Sequence, residues 1–253
     1  MRNIKTYLCL LISLLASCQG NKEQVVLKIA VAANMNFSMT EIARSFEMEY
    51  NVKVEMSTAS SGMLTSQIIN GAPFDVFISA NMDYPLALYS QELASLPEVY
   101  AFGKVVMAVP SGIAIAKNWQ ELLLSDEVKR IAIANPASAP YGIATLEALN
   151  KDGSYESLAS KIILGESVAQ VNQYLKIGSV DVAFTSNAFQ ANFKADYAYY
   201  EIPRELYQPI KQGVSIIKQK SNMHKAASEL FLNYLRSETC QTILLNHGFS
   251  IND

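Results

Sequence analysis

The sequence predicts an α/β protein of two lobes, each a mainly parallel sheet flanked by helices, joined by two extended crossings. Three observations predict it. From Val25 onward strand-like and helix-like runs alternate. The strand-like runs are almost continuously apolar, as in strands covered on both faces. The alternation breaks after Pro110, starts afresh at Arg130, and is followed by a return segment beyond Pro209.

Residues 25–32 form the first apolar run. Met39, Ile42, Ala43, Phe46 and Tyr50 then recur at helical spacing, with Thr40, Glu41, Arg44 and Glu47 on the other side, which predicts an amphipathic helix lying on a sheet. Residues 52–56 read as the next strand, 63–70 as a helix closed by Gly71, and 74–79 as a third strand. A strand over 104–109 stops at Pro110. The second series is strand 130–134, helix 141–150, strand 161–164, helix 167–177 and strand 180–185. Beyond Tyr207-Gln208-Pro209-Ile210 come a strand over 213–217 and helices around 223–236 and 238–246. Crossings at about 104–109 and 207–217 divide the chain into a first lobe over 25–105, a second over 106–210 and a return to the first over 211–253. One open sheet holding all strands is the alternative. No internal repeat or low-complexity stretch interrupts the pattern.

The N-terminus reads as an export signal. Arg2 and Lys5 precede an apolar stretch, 7–15, too short to span a bilayer. It ends at Leu15-Ala16-Ser17-Cys18, which resembles a bacterial lipobox: residues 1–17 are expected to be removed and Cys18 lipidated, with 18–24 as the lipidated Cys and its polar tether. An ordinary signal peptide with an incidental Cys is the alternative. Of the three cysteines, Cys9 lies in the signal and Cys18 would carry lipid, so no intrachain disulfide can form. Cys240, in a helix-like run, reads as a small buried apolar residue. With 20 basic and 23 acidic residues and no basic run, nucleic acid is an unsuitable partner.

Four short polar turns sit between an apolar strand and a helix: Ala32-Ala33-Asn34, Ala59-Ser60-Ser61-Gly62, Ala139-Pro140-Tyr141-Gly142 and Gly165-Glu166-Ser167-Val168. A helix start offers free backbone N–H groups and a positive dipole end. Asn34 and Ser61 add a side-chain amide and hydroxyl, and Gly62 after a donor Ser would admit a ligand close to the backbone. Tyr141 and Val168 offer main-chain N–H groups. Each residue alone is equally consistent with a helix cap or a packing role. Recurrence at the same place in successive units, beyond the carboxyl ends of strands, points to a shared ligand site. None of the turns holds a Lys, Arg or His, which suits a small oxyanion held by neutral donors. Absence of charge favours a fully deprotonated ion, unless Asp75 or Glu166, the nearest carboxylates, reaches it.

Catalytic signatures are missing: no G-x-S-x-G, Walker loop, G-x-G-x-x-G or H-E-x-x-H occurs. The two histidines, His224 and His247, stand near the C-terminus without a carboxylate or Cys cluster in sequence, and read as surface or helix-end residues. No catalytic residue and no cofactor are expected.

The residues that carry these turns resemble the substrate-binding proteins of molybdate ABC transporters over nearly the whole chain after the signal. The matching stretches are Val31-Ala32-Ala33-Asn34, Ala59-Ser60-Ser61-Gly62, the run from Asn70-Gly71-Ala72-Pro73-Phe74-Asp75 to Ala80, Asn135-Pro136 with Ala139-Pro140-Tyr141-Gly142, Gly165-Glu166-Ser167-Val168-Ala169-Gln170, Tyr207-Gln208-Pro209-Ile210 and His247-Gly248-Phe249. The resemblance implies a two-lobed, type II periplasmic-binding fold closing on tetrahedral molybdate or tungstate, and a partner membrane permease. It implies that Asn34 and Ser61 bind from the first lobe, with Ala33 adding backbone, and that Tyr141 and Val168 bind from the second. Some members supply a Tyr hydroxyl where this chain has Phe184, so that donor is missing or replaced, by Thr185, Ser186 or a rearranged first-lobe turn. The protein is accordingly expected to be a monomeric, lipid-anchored extracytoplasmic receptor for a small oxyanion. Sulfate or another oxyanion as ligand, an exported α/β enzyme on a phosphorylated or sulfated molecule, and an anion sensor are the alternatives.

Overall fold

A computed structural model describes residues 25–218 and 222–252. The expected signal, lipidated Cys18 and tether lie outside the described residues. The chain begins with β1 (Val26–Ala32), α1 (Asn36–Tyr50), β2 (Lys53–Ala59), α2 (Ser61–Ile69), β3 (Val76–Ser79), α3 (Asp83–Ser90) and β4 (Glu98–Gly103). Past Lys104 follow β5 (Val105–Pro110), α4 (Trp119–Leu124), β6 (Ile131–Ala134), α5 (Pro140–Asp152), the short α6 (Tyr155–Leu158) and β7 (Ile162–Gly165). Then come α7 (Val168–Lys176), β8 (Val182–Ser186), α8 (Asn187–Asn192) and β9 (Tyr197–Glu201). The chain returns through β10 (Ile210–Ile216) to α9 (Asn222–Leu235) and α10 (Glu238–Asn246).

Two five-stranded sheets result, ordered β2-β1-β3-β10-β4 and β7-β6-β8-β5-β9. In the first, β1 is parallel to β2 and β3, while β10 is antiparallel to β3 and β4. In the second, β6 is parallel to β7 and β8, while β5 is antiparallel to β8 and β9. Four strands of each sheet therefore point one way and one is reversed. The reversed strand is in each case the first one laid down after the chain changes sheets. The expected mainly parallel arrangement thus appears as two mixed sheets of identical strand order, although no sequence repeat announces it.

The crossings are shorter than their expected spans. The chain passes from β4 to β5 through Lys104 alone, and residues 210–216, placed within the second crossing by sequence, are a ladder strand. The elements that sequence reasoning left unassigned are β4, β9, α3, α4, α6 and α8.

Alternation along β1 splits its side chains between two cores. Leu27, Ile29 and Val31 pack with Met39, Ile42 and Phe46 of α1 and Phe231 of α9, whereas Ala30 faces Leu64, Ile68 and Leu88. Full burial of a side chain such as Ile42 or Phe46 stabilises by about 1.5–3 kcal/mol. That burial is what turns the 3.6-residue periodicity of α1 into a helix in place. Asn51 ends α1 in the left-handed region, at φ 53°. A third core covers the second sheet and includes Met107, Ile131, Ile133 and Phe184. Cys240 is fully buried in the first sheet's core, as its apolar context predicts.

Candidate functional site

The four polar turns meet. At the carboxyl ends of β1, β2, β6 and β7 the chain turns into four helix starts, and they surround a small, tightly closed cavity. Ala32, Ala33, Asn34, Ser60, Ser61 and Ala80 line it from the first sheet, and Ala139, Pro140, Tyr141 and Val168 from the second. Ala33, Asn34, Ser61, Tyr141 and Val168, the five residues singled out from sequence, are therefore brought to one place, and all are buried. Among the described residues no charged side chain lines the cavity. Two larger clefts nearby carry Glu147 on their walls.

Local geometry leaves donors free at the cavity. Pro140 takes the first position of α5, where its missing N–H costs nothing. Gly142 and Ile143 donate to Ala139 O, so the N–H of Tyr141 precedes the helical ladder and has no protein acceptor among the described residues. A Cβ on Gly142 would stand 2.1 Å from Ala134 O, so only glycine lets α5 start this close to the end of β6. Ser167 caps α7 by accepting from Gln170 N–H at 3.4 Å, which leaves Val168 N–H in the same free position. Ser61 Oγ accepts the Ala80 N–H at 3.0 Å; its own hydrogen has no protein acceptor among the described residues. Ser60 stands at the N-cap of α2 yet makes no cap bond, and its Oγ is buried without a partner among the described residues.

Gly62 has a different reason to be glycine from the one expected. Its N–H donates to Ser138 O at 2.9 Å, joining the first-sheet side of the cavity to the second. A Cβ there would lie 2.9 Å from both Ser138 Cα and Tyr84 Oη. The close approach is between two backbones rather than between backbone and ligand.

Beneath the cavity runs a buried polar chain. Asn34 Nδ2 donates to Gln212 Oε1 at 2.8 Å and lies 3.5 Å from Tyr141 Oη, while Asn34 Oδ1 is buried without a partner. Gln212 Nε2 donates to Ile210 O at 3.2 Å and reaches Ala80 O at 3.5 Å. Tyr141 Oη donates to Asn187 Oδ1 at 3.3 Å, and that oxygen also accepts the Lys104 N–H at 2.8 Å, in the crossing between sheets. Burial raises the Tyr141 phenol above its ordinary pKa, against a smaller downward pull from the Asn34 bond, so the ring stays neutral.

Other candidates are placed elsewhere. Phe184 is 1% exposed and packs edge-to-face on Trp119 in the core of the second sheet. Thr185 Oγ1 donates to Asn172 Oδ1 and Ser186 caps α8, so neither lines the cavity. Of the replacements envisaged for a donor at Phe184, only the first-sheet turn stands at the cavity. Asp75 is at the opposite end of β3, where its carboxylate accepts the Lys28 N–H at 2.7 Å and faces His224 Nδ1 at 3.0 Å. Glu166 is exposed. His247 ends α10 and lies between Asn192 and Glu41. Among the described residues no group of three or more His, Cys, Asp and Glu could hold a metal ion. The arrangement offers directed neutral donors and no base.

Sequence reasoning missed Gln212. The signal was a Gln-Gly pair inside a strand, which marks a bulge where a side chain is re-aimed; the ladder register indeed shifts between Gln212 and Gly213.

The chain matches the family model described as bacterial extracellular solute-binding protein over residues 27–250. It is 32% identical over 244 residues to the molybdate-binding protein ModA of Azotobacter vinelandii, covering 94% of each chain. It is 31% identical to the molybdate-binding protein ModA of Rhodobacter capsulatus, covering 87% of this chain and 86% of that one. Among solved structures, the Azotobacter vinelandii periplasmic molybdate-binding protein superposes with a TM-score of 0.83 at 30% identity, over 90% of this chain and 100% of that one. With the same fold, the same strand order on both sides of a neutral cavity and this similarity along its length, the chain belongs to the bacterial extracellular solute-binding proteins, in the group of the ModA molybdate-binding proteins.

Proposed function

We propose that the protein is an extracytoplasmic receptor that captures molybdate, with tungstate as a second ligand of the same shape and charge, and delivers it to an ABC permease in the membrane. The observation that carries the proposal is the cavity lined by four helix starts and no charged side chain. Each start is worth roughly half a positive charge, so four together balance about two negative ones, the charge of a tetraoxo dianion. In this account Asn34 and Ser61 bind with side chain and backbone, Ala33 with backbone, and Tyr141 and Val168 with N–H groups from the other side. An anion touching both sides stabilises the closed form, whereas one touching a single side could not shift the equilibrium between open and closed. The moving bodies are the lobes 25–105 with 211–253, and 106–210. Cys18 would carry the lipid that holds the receptor to a membrane face, with 18–24 as its tether, and a single copy suffices for the cycle.

Calorimetric titration of the chain beginning after Cys18, freed of bound anion, with molybdate, tungstate, sulfate and phosphate in one buffer tests this. Tight binding of molybdate and tungstate with little response to sulfate is expected. Tight sulfate or phosphate binding would overturn the ligand, and silence towards all four would overturn the receptor.

A further inference from the structure

We propose that Gln212 is a positioning residue for anion binding: it acts through Asn34, fixing which end of that side-chain amide is nitrogen. The inference deepens the molybdate-receptor proposal and rests on it. Gln212 is fully buried in β10, the strand by which the chain returns to the first sheet, at the point where the ladder register shifts. A bulge of this kind re-aims a side chain and is common beside functional sites. The Gln212 amide has no freedom to turn over. Its Nε2 faces two carbonyl oxygens, Ile210 O at 3.2 Å and Ala80 O at 3.5 Å, and carbonyls can only accept. Gln212 Oε1 is thereby held on Asn34 and demands a donor there. The 2.8 Å bond it receives comes from Asn34 Nδ2.

The consequence at Asn34 is unusual for a buried amide. Left to itself, the group would turn its oxygen toward a donor, because an unpaired buried acceptor is costly. Here Asn34 Oδ1 is buried without a partner among the described residues. Gln212 holds the nitrogen in place in spite of that cost. One Nδ2 hydrogen goes to Gln212, and the other has only Tyr141 Oη, 3.5 Å away and at the limit of a hydrogen bond. An oxyanion in the cavity that Asn34 lines is a stronger acceptor for that second hydrogen than a phenol oxygen. Ala80 links the two sides of the arrangement: its carbonyl receives Gln212, and its N–H fixes Ser61 Oγ. Ala80 thus helps to hold both Gln212, which orients Asn34, and Ser61.

A double-mutant cycle tests the assignment, with molybdate affinity as the readout and a thermal melt of each anion-free variant as the control for folding. Gln212→Met is expected to weaken molybdate binding about tenfold in the otherwise unchanged protein and to cause no further loss in an Asn34→Ala background. A residue that merely supports the fold would cost the same in both backgrounds. Equal losses in the two backgrounds, or no loss in the first, would overturn the proposal. Should methionine at 212 prevent folding, Gln212→Ala, which also removes the acceptor facing Asn34 Nδ2 and leaves room for water at the carbonyls of Ile210 and Ala80, takes its place in the same cycle. An unaltered protein that binds none of the four oxyanions overturns the receptor and this inference together, whereas binding with an additive cycle overturns this inference alone.

Discussion

The N–H of Gly62 donates to Ser138 O at 2.9 Å, tying the first turn of α2 to the loop that precedes α5 on the other sheet. A methyl group at Gly62 would meet Ser138 Cα and Tyr84 Oη, each at 2.9 Å. Gly62→Ala is therefore expected to hold the two sides apart and to weaken anion affinity by about 1–3 kcal/mol, the usual cost of overpacking. Ala has the higher helix propensity in α2 and the backbone it would meet, Ser138, belongs to the other side, so the melting temperature of the anion-free protein should not fall. A fall in melting temperature with unchanged affinity would contradict this role for Gly62.

Ser60 and Ser61 separate stability from binding. Ser61→Ala removes a hydroxyl available to the anion and strands the Ala80 N–H. Affinity should fall by about 1.5–3 kcal/mol and the anion-free protein should also lose stability. Ser60→Ala breaks no hydrogen bond in the protein, because the Ser60 hydroxyl neither caps α2 nor finds another partner. The usual N-cap penalty of about 0.5–2 kcal/mol should be missing from its melt. Any effect of Ser60→Ala is expected in the titration.

Phe184→Tyr provides a contrast. From sequence alone the substitution looks like a way to restore a donor to the ligand. In the fold it pushes a hydroxyl into the core beside Trp119, with an expected loss of stability of about 1–3 kcal/mol and no gain in affinity. Improved molybdate binding by this variant would mean that β8 is re-aimed toward the cavity.

Cys240 sets an alkaline limit. Burial pushes its thiol up to about 12 from an ordinary value of 9.0. The folded form holds the proton more tightly than the unfolded one, so the contribution to stability is complete below pH 9, and is lost as pH rises through the interval up to about 12. Below that interval the native thiol should resist alkylation by iodoacetamide and react only after unfolding, as mass spectrometry of native and denatured samples can show. Modification of the native protein at pH 8 would contradict the burial.

Much of this architecture could be read from residues because burial leaves a periodic trace. The α1 face of Met39, Ile42 and Phe46 and the apolar run of β1 are examples. The unassigned strands are the ones without that trace. β4 and β9 each occupy a sheet edge and are only partly buried, and their short runs Val99-Tyr100-Ala101-Phe102 and Tyr197-Ala198-Tyr199-Tyr200 are rich in tyrosine rather than in the aliphatic residues of the central strands. The cavity residues were legible because each sits at a strand-to-helix turn with a recognisable cap or glycine. Gln212 was not, because its partners Asn34 and Ala80 are distant in sequence and become neighbours only when β10 inserts beside β3. Gly62 was singled out correctly and explained wrongly, since a short polar turn does not say whether the backbone that approaches it belongs to a ligand or to the chain itself.

The position of β10 between β3 and β4 governs the order in which the molecule can be built. All five strands of the second sheet lie between residues 105 and 201, so in an exported chain that body can close before the C-terminal segment has crossed the membrane. The first sheet cannot. Until residues 210–216 emerge, β3 keeps a bare edge and β4 has no neighbour, an unpaired surface of the kind that invites association with other chains. The half of the molecule synthesised first is therefore the half completed last, and the final segment of the chain is what closes the first sheet and turns the molecule into a receptor.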